Sequence, residues 1–147
     1  MNGQTVVGGA LFGKPAAFNV ECKYATAGKL VELRRFVLED WLPKNSESRY
    51  LAVALRDLKR RGVCHVLSYA DPAHGHDGTI YRALGFAYLG KTSRRKHVLW
   101  RGKKYPDRNI HQIHFPYHVE LRAALQSGEA KKVGVPGKHI YLKTFST

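Results

Sequence analysis

The sequence predicts an α/β domain, and three observations carry that expectation. Leu51, Leu55 and Leu58 recur at helical spacing between Asn45 and Gly62, with Arg56, Asp57, Lys59 and Arg60 turned the other way. The run that follows, Val63 to Ala70, is rich in β-branched and aromatic residues and too short for a helix, the pattern of a parallel strand buried on both faces. A second short helix, Gly78 to Leu84, ends at Gly85 and gives way to a strand from Phe86 to Lys91. Strand, helix, strand, helix, strand implies right-handed α/β crossovers.

The other elements follow in order. Thr5 to Phe12 is small and apolar, Gly13-Lys14-Pro15 supplies a turn, and Ala16 to Lys23 reads as a second strand, so an antiparallel hairpin is expected at the start. Lys29 to Leu38 alternates imperfectly, as a strand does when one end is buried on both faces. Asn45 or Ser46 is placed to cap the first long helix, with Glu47 in its first turn, where the helix dipole favours an acid. That helix is expected to run to about Arg61. His97 to Trp100 is strand-like and Arg101-Gly102-Lys103-Lys104 turn-like. Pro116 to Gln126 forms a helix with Tyr117, Leu121 and Leu125 on one face and Gly128 as its stop. The final strand is His139 to Phe145.

At 147 residues the chain is one domain's worth. A single domain over 1–147 is expected, with its core in 1–91 and a basic ribbon, a helix and the last strand in 92–147 completing it. Cys22 and Cys64 stand in no CxxC arrangement, which argues against a thiolate zinc site or a disulfide framework and for reduced core residues. Met1 to Thr5 has neither the cationic nor the apolar region of a signal peptide, so the cytoplasm is the expected compartment.

Charge is the strongest compositional signal. Lys and Arg number 25 against 11 Asp and Glu, a formal net charge of +14. An excess this large on so short a chain points to a polyanion, with nucleic acid first, although a solvated basic surface has the same composition. The excess concentrates after position 90, where Lys91, Arg94, Arg95, Lys96, Arg101, Lys103, Lys104 and Arg108 face only Asp107 up to position 108. Arg94, Arg95, Lys96, Arg101, Lys103 and Lys104 are therefore the candidate DNA contacts. Trp100 joins them if it is exposed to stack on a base; otherwise it anchors the fold, as Trp41 is expected to do.

Chemistry is concentrated in one run, Ser68-Tyr69-Ala70-Asp71-Pro72-Ala73-His74-Gly75-His76-Asp77-Gly78-Thr79-Ile80-Tyr81. It starts at the carboxyl end of the expected buried strand, where open α/β sheets bind ligands. Ser68, Tyr69, Asp71, His74, His76, Asp77 and Tyr81 thus crowd into one expected crevice, and Gly75 and Gly78 let the backbone approach a ligand.

Ile80-Tyr81-Arg82-Ala83-Leu84-Gly85-Phe86, followed by a strand and Gly90, resembles the YxxxGF segment of the GNAT N-acyltransferase fold. The longer run from Ser68 to Phe86, with Pro43-Lys44-Asn45-Ser46-Glu47-Ser48 upstream and Pro136-Gly137-Lys138-His139 downstream, resembles the Mom group of phage adenine-modification proteins. The resemblance covers about Leu33 to Phe145. It implies a GNAT-like mixed central sheet with flanking helices and a basic C-terminal extension. It also implies transfer of a small acyl-derived group to adenine N6 in double-stranded DNA, protecting a phage genome from restriction.

The amino lone pair of adenine is delocalised into the ring, so such a site must take a proton and orient the nitrogen. Asp71 is the candidate base, with His74 and His76 as competitors; Ser68 and Tyr69 are placed to hold or stack the base. By resemblance, Tyr81 would protonate a departing thiolate, and backbone amides of Phe36, Val37 and Leu38 would hold the arm of acetyl-coenzyme A or another acyl donor. The fold's usual Q/R-x-x-G-x-G/A loop is absent, because Leu42 to Ser48 contains no glycine. That leaves Lys44 and the helix-start amides at Asn45 and Ser46 for an anion. The adenine would have to leave the duplex stack.

Each of these residues has a plainer use. Asp71-Pro72 is a turn initiator, Tyr81 is a core residue, and His111, His114 and His118 are surface histidines. His74 and His76 share a spacing that a metal could use, but the sequence fixes no third ligand, and none is expected. Two other functions remain open: a non-catalytic DNA-binding module on the same fold, and an acetyl-CoA-dependent N-acetyltransferase acting on protein or small amines.

Overall fold

A computed structural model describes residues 4–16, 18–24, 28–110 and 116–146. The side chain of Cys22, expected in the core, and His111 and His114 lie outside the described residues. The chain divides into two compact units, Met1–Lys91 with Lys138–Thr147, and Thr92–Gly137. In the first unit lie β1 (Gly8–Gly13), α1 (Phe18–Tyr24), β2 (Lys29–Leu38), α2 (Ser46–Arg60), β3 (Val63–Ala70), a 3-10 turn (Pro72–His74), α3 (Thr79–Ala83) and β4 (Ala87–Lys91). The second contains β5 (Arg95–Trp100), β6 (Lys103–Pro106), α4 (His118–Ser127) and β7 (Lys131–Val135), after which β8 (His139–Thr144) belongs to the first.

The first unit is a mixed sheet of order β1-β2-β3-β8-β4 with helices on both faces. The central strand β3 is the one expected from its unbroken apolar run. It pairs parallel with β2 and antiparallel with β8, and Val66 and Leu67 are fully buried. On one face Val31, Val66, Ala70 and Tyr141 pack with Leu55 of α2, with Tyr81 of α3 and with Leu84 just after it. On the other, Leu30, Leu67 and Ile140 pack with Val20 and Tyr24 of α1. Leu51 and Leu55 are the buried residues of α2, each worth roughly 1.5–3 kcal/mol of burial.

Two expectations for the start of the chain are corrected. Residues 18–24 form a helix, not a strand, because Val20 and Tyr24, four apart, reach the same apolar cluster. The opening hairpin partner of β1 is instead β2, in antiparallel register from Gly8↔Leu38 to Gly13↔Glu32. The last strand forms as expected, but it inserts between β3 and β4, so these two do not pair. At α2 the cap is Asn45, held left-handed at φ 70°, a conformation asparagine tolerates, without a side-chain capping bond.

The register of β2 decides where a ligand can enter. It pairs with β3 only from Lys29↔Val63 to Glu32↔Leu67, although both strands continue. Beyond that point β2 stays with β1, and their register slips between Leu11↔Arg35 and Phe12↔Leu33, leaving Arg34 as an extra residue. Such a bulge bends a strand and increases its twist. The bulge accounts for β2 leaving β3 and for the gap between their carboxyl ends.

The second unit is a three-stranded antiparallel sheet of order β6-β5-β7 carrying α4. The β5–β6 hairpin is the basic ribbon, with Trp100 facing Lys103 across the turn, and β7 pairs on the other edge of β5. Val98, Trp100, Leu121 and Ala124 form its core, and Tyr117 meets the Tyr105 ring at 5.1 Å. Gly128 ends α4 at φ 84°, as the sequence predicts. Trp100 is 5% exposed, so it is an anchor of this unit and not a base-stacking contact. The strand alternation puts Val98 and Trp100 inward and Leu99 outward. No helix among the described residues is long and apolar enough to cross a membrane.

Candidate active site

Where β2 and β3 part, a cleft of about 940 Å3 opens. One wall is the carboxyl half of β2, Leu33 to Leu38; the other is Tyr69 and Ala70 of β3 with the segment Gly75 to Tyr81. Pro43, Lys44, Asn45, Glu47 and Ser48, at the start of α2, close one end. Among the described residues, the edge of β2 that faces β3 has no strand partner beyond Glu32, so its amides and carbonyls are available to a ligand.

Of the candidate catalytic residues, Tyr81 and His76 line this cleft. Tyr81 lies against Phe86 and Tyr141, with ring centroids at 5.4 Å in both cases. Burial pushes its phenol above the ordinary value, partly offset by the Ser68 hydroxyl, and the group therefore stays protonated and able to donate. Ser68 itself is fully buried, and among the described residues its Oγ reaches no hydrogen bond of good geometry. Its burial keeps it from a ligand, and its effect at this site is the lowering one on Tyr81. Tyr69 is pushed up to about 12 by burial and by the Glu32 carboxylate.

Asp71 and His74 are not among the lining residues. Asp71 accepts a bond from the Ala73 amide at 3.0 Å and faces His74 Nδ1 at 3.4 Å, starting the 3-10 turn as the Asp-Pro pair allows. Asp77 does line the cleft, but its Oδ1 accepts from both Thr79 N, at 2.9 Å, and Thr79 Oγ1, at 2.6 Å. Those bonds hold its carboxyl below the ordinary value. Among the described residues no group of three or more His, Cys, Asp and Glu side chains is gathered as for a metal ion.

The turn that carries His76 and Asp77 is braced from below. Tyr141 donates to the Asp77 carbonyl at 2.7 Å and accepts from Arg82 Nε at 3.2 Å. Gly78, at φ +85°, sits directly on the Tyr141 ring, where a Cβ would come within 2.2 Å of Cε2. Tyr141 is distant in the chain from this turn, and Gly78 is the signal that the sequence carries for it. Arg34 and Arg35 also line the cleft and went unassigned. Of the expected donor-binding residues, Phe36, Val37, Leu38, Lys44 and Asn45 line it, whereas the Ser46 hydroxyl is turned to the Pro43 carbonyl.

A family model described as the Mom protein family matches residues 1–146. The chain belongs to the Mom protein family. It is also 39% identical over 62 residues to "Methylcarbamoylase mom" of Escherichia phage Mu, a stretch covering 41% of this chain and 26% of that protein. The matched stretch thus spans about a quarter of that relative's length.

In this Mom-family chain the candidate DNA contacts lie in the second unit. Arg94, Lys96, Arg101, Lys103 and Lys104 are exposed, and Arg95 is half-buried. Arg101 faces Glu129 at 3.4 Å and lies over the Trp100 ring at 4.5 Å, and Lys103 lies over Tyr105 at 5.4 Å. Lys104 and Lys131 flank exposed Leu99 on one face of the sheet. Lys131 carries no signal in the sequence beyond its charge, because the short run Lys131–Val135 contains a glycine and has little strand pattern of its own.

Proposed function

We propose that this Mom-family protein is a DNA-modifying transferase that moves a small acyl-derived group onto the N6 nitrogen of an adenine lifted from the duplex. The name of the phage Mu relative makes methylcarbamoyl the first group to consider, and protection of phage DNA from restriction the first use. What carries the proposal is the cleft between parting parallel strands, lined on one side by a free strand edge and on the other by His76 and a protonated Tyr81.

The chemistry follows from those groups. The amino nitrogen attacks the acyl carbon, forming a C–N bond as the bond to the leaving atom breaks. His76, which lines the cleft, takes onto a ring nitrogen the proton that the amino nitrogen must lose. Tyr81 gives its proton to the leaving atom. Asp71 is the weaker candidate base because the cleft is not lined by it. Tyr69, which also packs on the Leu30, Leu67 and Ile140 cluster, would stack on the base, and the arginines at 34 and 35 would hold phosphate; all three line the cleft.

An acyl donor with an amide-bearing arm suits the unpaired edge of Phe36 to Leu38, as in the GNAT-like arrangement. The diphosphate of acetyl-coenzyme A fits less well. The turn before α2 has no glycine, the Ser46 amide is engaged by the Pro43 carbonyl, and Glu47 stands in the first helical turn. Lys44 is the cation the cleft offers there. The proposal is therefore an acyl donor without commitment to coenzyme A.

Digestion to nucleosides and mass spectrometry of DNA from cells expressing the protein tests this. An adenine of increased mass is expected. Unaltered adenine with DNA binding retained would instead identify a silent DNA-binding module. Acyl transfer to amines without DNA would identify an ordinary N-acetyltransferase.

A further inference from the structure

We infer that Trp41 stacks on a nucleobase at the mouth of the cleft; this rests on DNA being the substrate. Large aromatic side chains are normally covered, and the sequence places Trp41 as an anchor of the fold. Instead it is 69% exposed. It is held outward by a tight turn: Leu42 N donates to the Glu39 carbonyl at 3.2 Å, and Glu39 N is tied to the Val7 carbonyl at 2.8 Å. The ring is thus displayed from a hydrogen-bonded turn.

Its position is what gives it a partner. Along the chain Trp41 stands between Leu38 and Leu42, both of which line the cleft although Trp41 itself does not, and Val37, another lining residue, is 67% exposed. Three cations, Arg34, Arg35 and Lys44, line the same cleft. An apolar aromatic face bordered by cations fits a ligand that is both aromatic and anionic, and a base with its phosphates is that ligand. Glu39 and Asp40, exposed and just before Trp41 in the chain, repel phosphate, so the turn itself offers ring contact and the cations of the cleft receive the backbone. In a protein that lifts a base from its stack, such a ring covers the lifted base or the neighbour left without its stacking partner.

The protein has two tryptophans, and Trp100 is buried, so both emit but quenching by direct contact with a base reports mainly on Trp41. Single-stranded oligonucleotides containing adenine should quench it. Trp41→Phe leaves Trp100 as the remaining reporter and should abolish most of the quench. Adenine modification in cells should fall roughly 5- to 150-fold in Trp41→Ala, the range for loss of one base–aromatic stack, and should be largely kept in Trp41→Phe.

Full modification by Trp41→Ala beside an active wild type would overturn the inference and leave the proposed reaction standing. Quenching without any modified adenine would support the base contact and count against the reaction. Neither quenching nor modification would overturn both.

Discussion

Replacing Gly78 by alanine is the substitution whose cost the structure allows to be worked out in parts. Gly78 caps α3 at φ +85°, and a Cβ there would meet Tyr141 Cε2, Cζ and Oη at 2.2, 2.3 and 2.5 Å. The left-handed backbone alone costs an alanine about 1–2 kcal/mol. Overpacking against a fully buried ring adds about 1–3 kcal/mol, because Tyr141 is wedged among Tyr81, Tyr88 and the sheet and cannot retreat cheaply. The sum is roughly 2–5 kcal/mol. Gly75→Ala is the internal control, since it has a similar φ of +75° but meets nothing within 4 Å among the described residues, so it should cost only the first part. Urea denaturation, with slopes of about 1–3 kcal/mol/M, resolves the difference as a displaced midpoint. Equal costs for the two alanines, or a Gly78→Ala cost below about 1 kcal/mol, would refute the close packing of this turn on Tyr141.

His76→Gln should reduce adenine modification by about 100-fold or more, the usual share of a general base, measured by nucleoside mass spectrometry. Asp71→Asn should leave modification within a few-fold, because an amide oxygen can still accept from Ala73 N; the reverse ranking would return the base to Asp71. Asp77 ionises below its ordinary value through its two bonds from Thr79, so its stabilisation is complete above the ordinary aspartate pKa of about 3.9 and is lost as the pH falls through the lowered value. Denaturation curves of wild type and Asp77→Asn should therefore converge on acidification, and a gap independent of pH would contradict the bonding. Removing the exposed charges at Lys104 and Lys131 should lower the slope of log affinity for DNA against log salt by roughly 0.9 for each phosphate no longer neutralised; an unchanged slope would take that face out of the interface.

The periodic elements were legible from residue pattern alone. The leucines of α2, the apolar run of β3, and Gly128 after α4 each signal locally what they form. Residues 18–24 misled because a seven-residue helix with Val20, Cys22 and Tyr24 also alternates like a strand; only the tertiary contact of Val20 and Tyr24 decides it. The insertion of β8 beside β3 is a long-range pairing with no local trace. At the cleft, the Ser68 to Tyr81 run marked the right place, yet could not separate Asp71, spent on a turn, from His76, which lines the opening. Trp41 and Trp100 were equally apolar in sequence, and strand alternation buries one while a turn displays the other.

The proposed reaction requires the adenine to enter the gap between β2 and β3. Photo-crosslinking with an oligonucleotide carrying a single photoreactive adenine, followed by peptide mapping, locates the base on the protein. Adducts are predicted within residues 33–48 or 69–83, the two walls of the cleft. Adducts confined to residues 92–137, with none on either wall, would contradict entry at that gap.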